Sequence, residues 1–127
     1  MEIYDLNSKK IIKNFNNVSL STKIGSQFIL IFDNIVIGGD RKIYVINNKF
    51  EIVNNFDYNS NIVCVVNLFS DLFLIADSDG TISVFQLNDD KPLIEKKNAH
   101  EGNIRAITFK NSVFVSAGID TFIKKWE

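Results

Sequence analysis

Short runs of β-branched and aromatic residues alternate along the chain with clusters of Asn, Asp, Gly and Ser. This alternation is typical of strands that end in turns. Apolar residues nowhere recur at helical spacing across a dozen positions, and the single proline, Pro92, lies in a polar turn. The pattern therefore predicts an all-β protein, whose clearest strands fall at residues 43–45, 63–66, 72–75, 82–85, 104–109 and 113–115.

A longer pattern repeats about every forty residues. Each copy has an aspartate followed, six positions later, by an apolar or aromatic residue, and Tyr4 occupies the second position of a partial copy at the start. Many short strands predict a sandwich, a barrel or a propeller, and four strands in each forty-residue period select the propeller. The aspartates are Asp40, Asp79 and Asp120, and the paired positions are Ile46, Phe85 and Trp126.

The last copy resembles the WD40 repeat. Ala99-His100 is similar to the Gly-His opening of that family, and residues 116–127, SAGIDTFIKKWE, are similar to its Trp-Asp ending. In the second copy Phe85-Gln86 replaces Trp-Asp and Tyr58 takes the histidine position. The resemblance implies one WD40-like repeat domain over residues 1–127, a partial propeller of about three blades. Its parts would be third and fourth strands in 1–15, blades at 26–56 and 61–96, and an incomplete blade at 104–127.

The resemblance also implies a buried hydrogen-bond network in the last blade only. The indole N–H of Trp126 would bond to the hydroxyl of Ser116, the hydroxyl to His100, and the other imidazole nitrogen to Asp120. A rival interpretation is a nucleophilic triad of the same serine, histidine and aspartate. No glycine-framed nucleophile elbow surrounds Ser116, so the structural interpretation is favoured and the chain is predicted not to be an enzyme.

Metal and cofactor sites are not expected. The chain has one histidine and one cysteine, Cys64, whereas a metal site needs three or four converging ligands. The segment Asp77-Ser-Asp79-Gly80 lacks the spacing of a calcium loop and predicts a tight turn between two strands. A formal net charge of −1 argues against autonomous binding to nucleic acid. The longest apolar stretches are about five residues, too short for a bilayer, and the predicted location is cytoplasmic or nuclear.

Three blades are too few to close a propeller, because known rings have at least four. We expect the ring to be completed by a homodimer with six blades or by another propeller-containing subunit, unless the chain is a fragment of a longer WD40 protein. The predicted function is a protein-interaction scaffold in a multiprotein complex. The alternative is a ribonucleoprotein component that contacts RNA through lysine and arginine loops. Arg41, Tyr58 and Arg105 are predicted to be exposed partner contacts.

Overall fold

A computed structural model describes residues 2–15 and 27–127, and every regular element within these residues is a β-strand. Residue 26, predicted as the start of the first blade, lies outside the described residues. The strands are β1 Glu2–Asp5, β2 Lys10–Asn14, β3 Gln27–Ile31, β4 Asn34–Gly38, β5 Lys42–Ile46, β6 Ile52–Asp57, β7 Ile62–Phe69, β8 Leu72–Asp77, β9 Ile82–Gln86, β10 Ile94–Lys96, β11 Ile104–Lys110, β12 Val113–Gly118 and β13 Ile123–Trp126.

Each sheet is a run of consecutive antiparallel strands, as expected for propeller blades. The first blade is β3-β4-β5-β6, the second is β7-β8-β9-β10, and the third is β11-β12-β13. The strands β1 and β2 form a separate two-stranded hairpin. In the described part of the chain the third blade therefore has three strands, and the outer edge of β13 has no strand beside it.

The blades are stacked side by side in one orientation. The inner strands β3, β7 and β11 contact one another in chain order. Backbone hydrogen bonds join the turns within the blades to the loops between them: Tyr58 N–H donates to the carbonyl of Arg41, and Ser78 N–H donates to that of Asn61. These turns and loops thus share one end of the molecule. We call it the loop end, and it comprises residues 39–41, 58–61, 78–81, 97–103 and 119–122.

Two of the three hydrophobic clusters among the described residues lie between blades, and the third packs Phe15 against Ile37, Tyr44 and Ile46 of the first blade. Side chains of the first and second blades form one cluster, in which Phe85 stacks on Phe73 at 5.6 Å and tilts against Phe56 at 5.2 Å. A second cluster joins the second and third blades around Leu74 and Ile104. Burial of both faces of the second blade explains its nearly continuous apolar strands. The prediction of an all-β, partial propeller is confirmed.

Candidate functional site

A chain of four polar side chains runs through the third blade at the loop end. Trp126 Nε1–H donates to Ser116 Oγ at 2.8 Å, and Ser116 Oγ lies 2.7 Å from His100 Nε2. His100 Nδ1 lies 2.9 Å from Asp120 Oδ1. The carboxylate of Asp120 can only accept, so a neutral imidazole of His100 carries its proton on Nδ1. The indole of Trp126 can only donate, so the hydroxyl of Ser116 accepts from it and donates its own proton to His100 Nε2. The structure therefore brings together the four residues that the repeat pattern singled out.

Asp120 joins this network to the backbone. Its carboxylate also accepts from Glu101 N–H at 3.0 Å and from Phe122 N–H at 3.2 Å. Desolvation would raise the pKa of Asp120, but the hydrogen bonds from His100 and from these two backbone groups outweigh it and lower the pKa to about 2. Gly118 allows the ring of His100 to pack closely against the backbone of β12, because a Cβ at this position would lie 2.6 Å from His100 Nδ1.

The accessibility of the network favours a structural role over nucleophilic chemistry. Ser116 is 0% exposed and His100 is 1% exposed. The hydroxyl of Ser116 already accepts from Trp126 and directs its proton to His100, so no face of it is open to a substrate. The network ties the loop before β11 to the β12–β13 turn, which fixes the geometry of the loop end.

The second blade holds a different network in the corresponding place. The hydroxyl of Tyr58 donates to Asp77 Oδ2 at 3.0 Å and lies 3.2 Å from Ser83 Oγ. The other oxygen of Asp77 accepts from Asp79 N–H and Thr81 N–H, both at 2.9 Å. Asp77 is 3% exposed and Ser83 is 1% exposed, so this cluster belongs to the interior of the molecule.

The structure corrects two expectations in the second blade. Tyr58 is not an exposed contact, because its half-buried ring packs edge-on against Phe85 at 6.2 Å and its hydroxyl is held by Asp77. The aspartate that organises the second turn is Asp77, whereas Asp79, the residue that matched the repeat spacing, is exposed. The motif Asp77-Ser-Asp79-Gly80 contained the signal, since an aspartate that begins such a turn caps the following N–H groups.

Burial changes the ionisation of this cluster. Desolvation raises the pKa of Asp77 even though the backbone of Thr81, the hydroxyl of Tyr58 and the backbone of Asp79 stabilise its anion. Desolvation also raises the pKa of Tyr58, and the charges of Asp77 and Glu95 act in the same direction. The phenol therefore stays protonated and acts as a hydrogen-bond donor to Asp77.

A cavity of about 390 Å³ opens beside Tyr58 and Asp77, between the first and second blades. Five of its lining residues are acidic, whereas Lys97 is its single basic one. Among the described residues, no group of three or more histidine, cysteine or carboxylate side chains could hold a metal ion. The cavity is lined by Asp57, Tyr58, Asn59, Ser60, Asp77, Asp79, Thr81, Ser83, Phe85, Asp90, Pro92, Glu95 and Lys97.

The remaining predicted residues lie apart from these networks. Asp40 and Arg41 are exposed in the β4–β5 turn, where Arg41 has a positive φ of 57°. Arg105 is exposed near the start of β11. Both arginines are therefore available at or beside the loop end. No helix in the described ranges is long and apolar enough to cross a membrane.

Comparisons with known proteins show the fold alone. No protein-family model matches the chain, and no curated protein matches it in sequence. Among solved structures, Raptor from Chaetomium thermophilum superposes with a TM-score of 0.71 at 18% identity, over 81% of this chain and 11% of that one. The C-terminal WD40 domain of Sif2 gives 0.67 at 21% identity, over 80% of this chain and 30% of that one.

A computationally designed protein, Ika8, is similar to the same extent. It gives a TM-score of 0.67 at 20% identity, over 78% of this chain and 31% of that one. The chain thus spans less than a third of the length of each of these structures. These superpositions agree with the description of the chain as stacked blades of a WD40-like, partial propeller.

Proposed function

We propose that this chain is a non-catalytic interaction scaffold that assembles with other proteins in the cytoplasm or nucleus. The observation that carries the proposal is the open edge of the third blade. The backbone N–H and C=O groups along the outer side of β13 face no other described strand, and Ile123 on that strand is 77% exposed. Unpaired edges of this kind template the addition of another strand.

Exposed apolar side chains extend from this edge into the preceding turn. Phe122 is 62% exposed and Ile119 is 50% exposed. The hairpin β1–β2 presents further exposed apolar groups, including Tyr4 at 51% and Ile11 at 53%. A two-stranded hairpin is marginally stable alone, so an added surface would stabilise it.

Two kinds of partner fit this edge. A second copy could offer its hairpin, giving a six-bladed ring, or another propeller-containing subunit could pair a strand with β13. In the first case β1 and β13 would both occupy the position of a third strand, so docking must displace one of them. A ribonucleoprotein role gains no support at the loop end, where the acidic cavity would repel a phosphate backbone.

Light scattering of the purified chain tests this proposal, with Ile123→Lys as the variant. A lysine on an exposed edge strand deters strand pairing, so we expect this substitution at the start of β13 to reduce the associated mass. Ile94→Lys is the matched control, because Ile94 is 65% exposed on β10, the outer strand of the complete second blade. Equal effects of the two substitutions would contradict a specific role for the β13 edge.

The arginines at the loop end give a separate test of partner contact. Arginine is often an energetic anchor at interfaces, and both side chains are exposed. We expect Arg41→Ala with Arg105→Ala to abolish capture of protein partners without lowering the melting temperature. Lys49→Ala with Lys110→Ala removes the same charge from two exposed sites outside the loop end and should leave capture intact. Unchanged capture by the arginine variant would remove these residues from the interface.

A further inference from the structure

We propose that the cavity between the first and second blades receives a lysine or arginine side chain from a protein partner. The inference rests on the proposed scaffold function and names the chemistry that one partner presents. It starts from the imbalance of charge in the cavity. The exposed Asp57 is paired with the half-buried Lys42 at 3.6 Å, but the four other acidic residues of the lining have no ion pair within the described ranges. Those four are Asp77, Asp79, Asp90 and Glu95.

The carboxylate of Asp77 is buried beside the cavity without a cationic neighbour. Aspartate is seldom this deeply buried without a cationic partner, and no lysine, arginine or histidine in the described ranges forms an ion pair with it. The three hydrogen bonds that Asp77 accepts, from Tyr58, Asp79 and Thr81, come from uncharged donors. The lining therefore keeps an excess of negative charge that a cationic hydrogen-bond donor would complement.

The shape and the walls of the cavity favour an organic cation over a metal ion. Its carboxylates surround the space without converging as a metal-ligand group. The half-buried ring of Tyr58 belongs to the lining, and an aromatic surface suits the aliphatic stem of lysine or the planar guanidinium of arginine. A volume of about 390 Å³ is within the range of ligand pockets and leaves room for the side chain and part of its backbone.

Titration with small capped amino acids tests the inference directly. N-acetyl-arginine N-methylamide and its lysine counterpart are added to the ¹⁵N-labelled full chain, and the amide signals of Asp79 and Thr81 are followed by NMR. The same capped derivatives of citrulline and norleucine are the neutral controls. Citrulline replaces arginine and norleucine replaces lysine, each with a similar shape and without the charge. We expect saturable shifts with arginine or lysine and none with the neutral analogue, and the two arms identify which cation fits.

A pair of variants locates the binding. Asp90→Asn with Glu95→Gln removes two exposed carboxylates from the lining and leaves the buried network intact, so affinity should fall about tenfold. Asp33→Asn with Glu51→Gln removes the same charge elsewhere and should leave affinity unchanged. Absence of shifts, equal shifts with the neutral analogues, or equal weakening by both variants would overturn the inference. If the chain associates normally in light scattering, such a result rejects only the cavity site and leaves the scaffold proposal standing.

Discussion

Replacing Ser116 with alanine removes the hydroxyl that joins Trp126 to His100 inside the third blade. Both Ser116 and His100 are almost fully buried, and the space left by one oxygen atom is too small for water. His100 Nε2 then becomes a buried acceptor without a donor, which costs about 1–3 kcal/mol. Loss of the hydrogen bond from Trp126 adds about 1 kcal/mol. We expect the free energy of unfolding to fall by roughly 2–4 kcal/mol.

Urea denaturation followed by the fluorescence of Trp126, the single tryptophan, measures this change. In a domain of this size each kcal/mol corresponds to a shift of about 4 °C in melting temperature, so a drop of roughly 8–16 °C should accompany it. Ser112→Ala, in an exposed turn, is the control and should change stability by less than about 0.5 kcal/mol. A Ser116→Ala protein as stable as this control would refute the structural role of the network. Loss of a hydrolytic activity at unchanged stability would assign the serine to catalysis instead.

Two carboxylates at the loop end should give pH dependences of opposite sign. Burial raises the pKa of Asp77 above 3.8, so its contribution favours the folded state at low pH and is lost as pH rises through the raised value. In the Asp77→Asn variant, urea denaturation should no longer show this loss of stability with rising pH. A pH profile equal to that of the wild type would contradict the assignment to Asp77. Hydrogen bonds lower the pKa of Asp120 to about 2, so its stabilisation is present above 3.8 and is lost as pH falls towards 2. Asp120→Asn should be destabilised at neutral pH and should lose less stability on acidification; a parallel acid profile would count against this.

The repeat pattern was sufficient for the fold. Each blade is a run of consecutive strands closed by local turns, so its signals lie close together in the sequence. The network of the third blade was predicted from the resemblance of residues 99–127 to the WD40 repeat, and the structure brings His100, Ser116, Asp120 and Trp126 together as that resemblance implied.

The second blade shows where this reasoning stops. Asp77 and Asp79 compete for the same turn, and repeat spacing selects Asp79, whereas the backbone turn and the hydroxyl of Tyr58 select Asp77. The repeat places Tyr58 at the histidine position, but neither Asp77 nor Ser83 stands at a polar position of the repeat. The pattern therefore did not indicate the Tyr58–Asp77–Ser83 cluster or the cavity beside it.

The mass of the purified chain in solution tests the central claim most directly. If the open edge of the third blade is an association surface, light scattering should give a mass above the 14.5 kDa of one chain, rising with concentration. Ile123→Lys should return the mass towards that of one chain, and Ile94→Lys should not. A wild-type chain that stays monomeric at 14.5 kDa at every concentration would contradict the claim that this edge is an association surface.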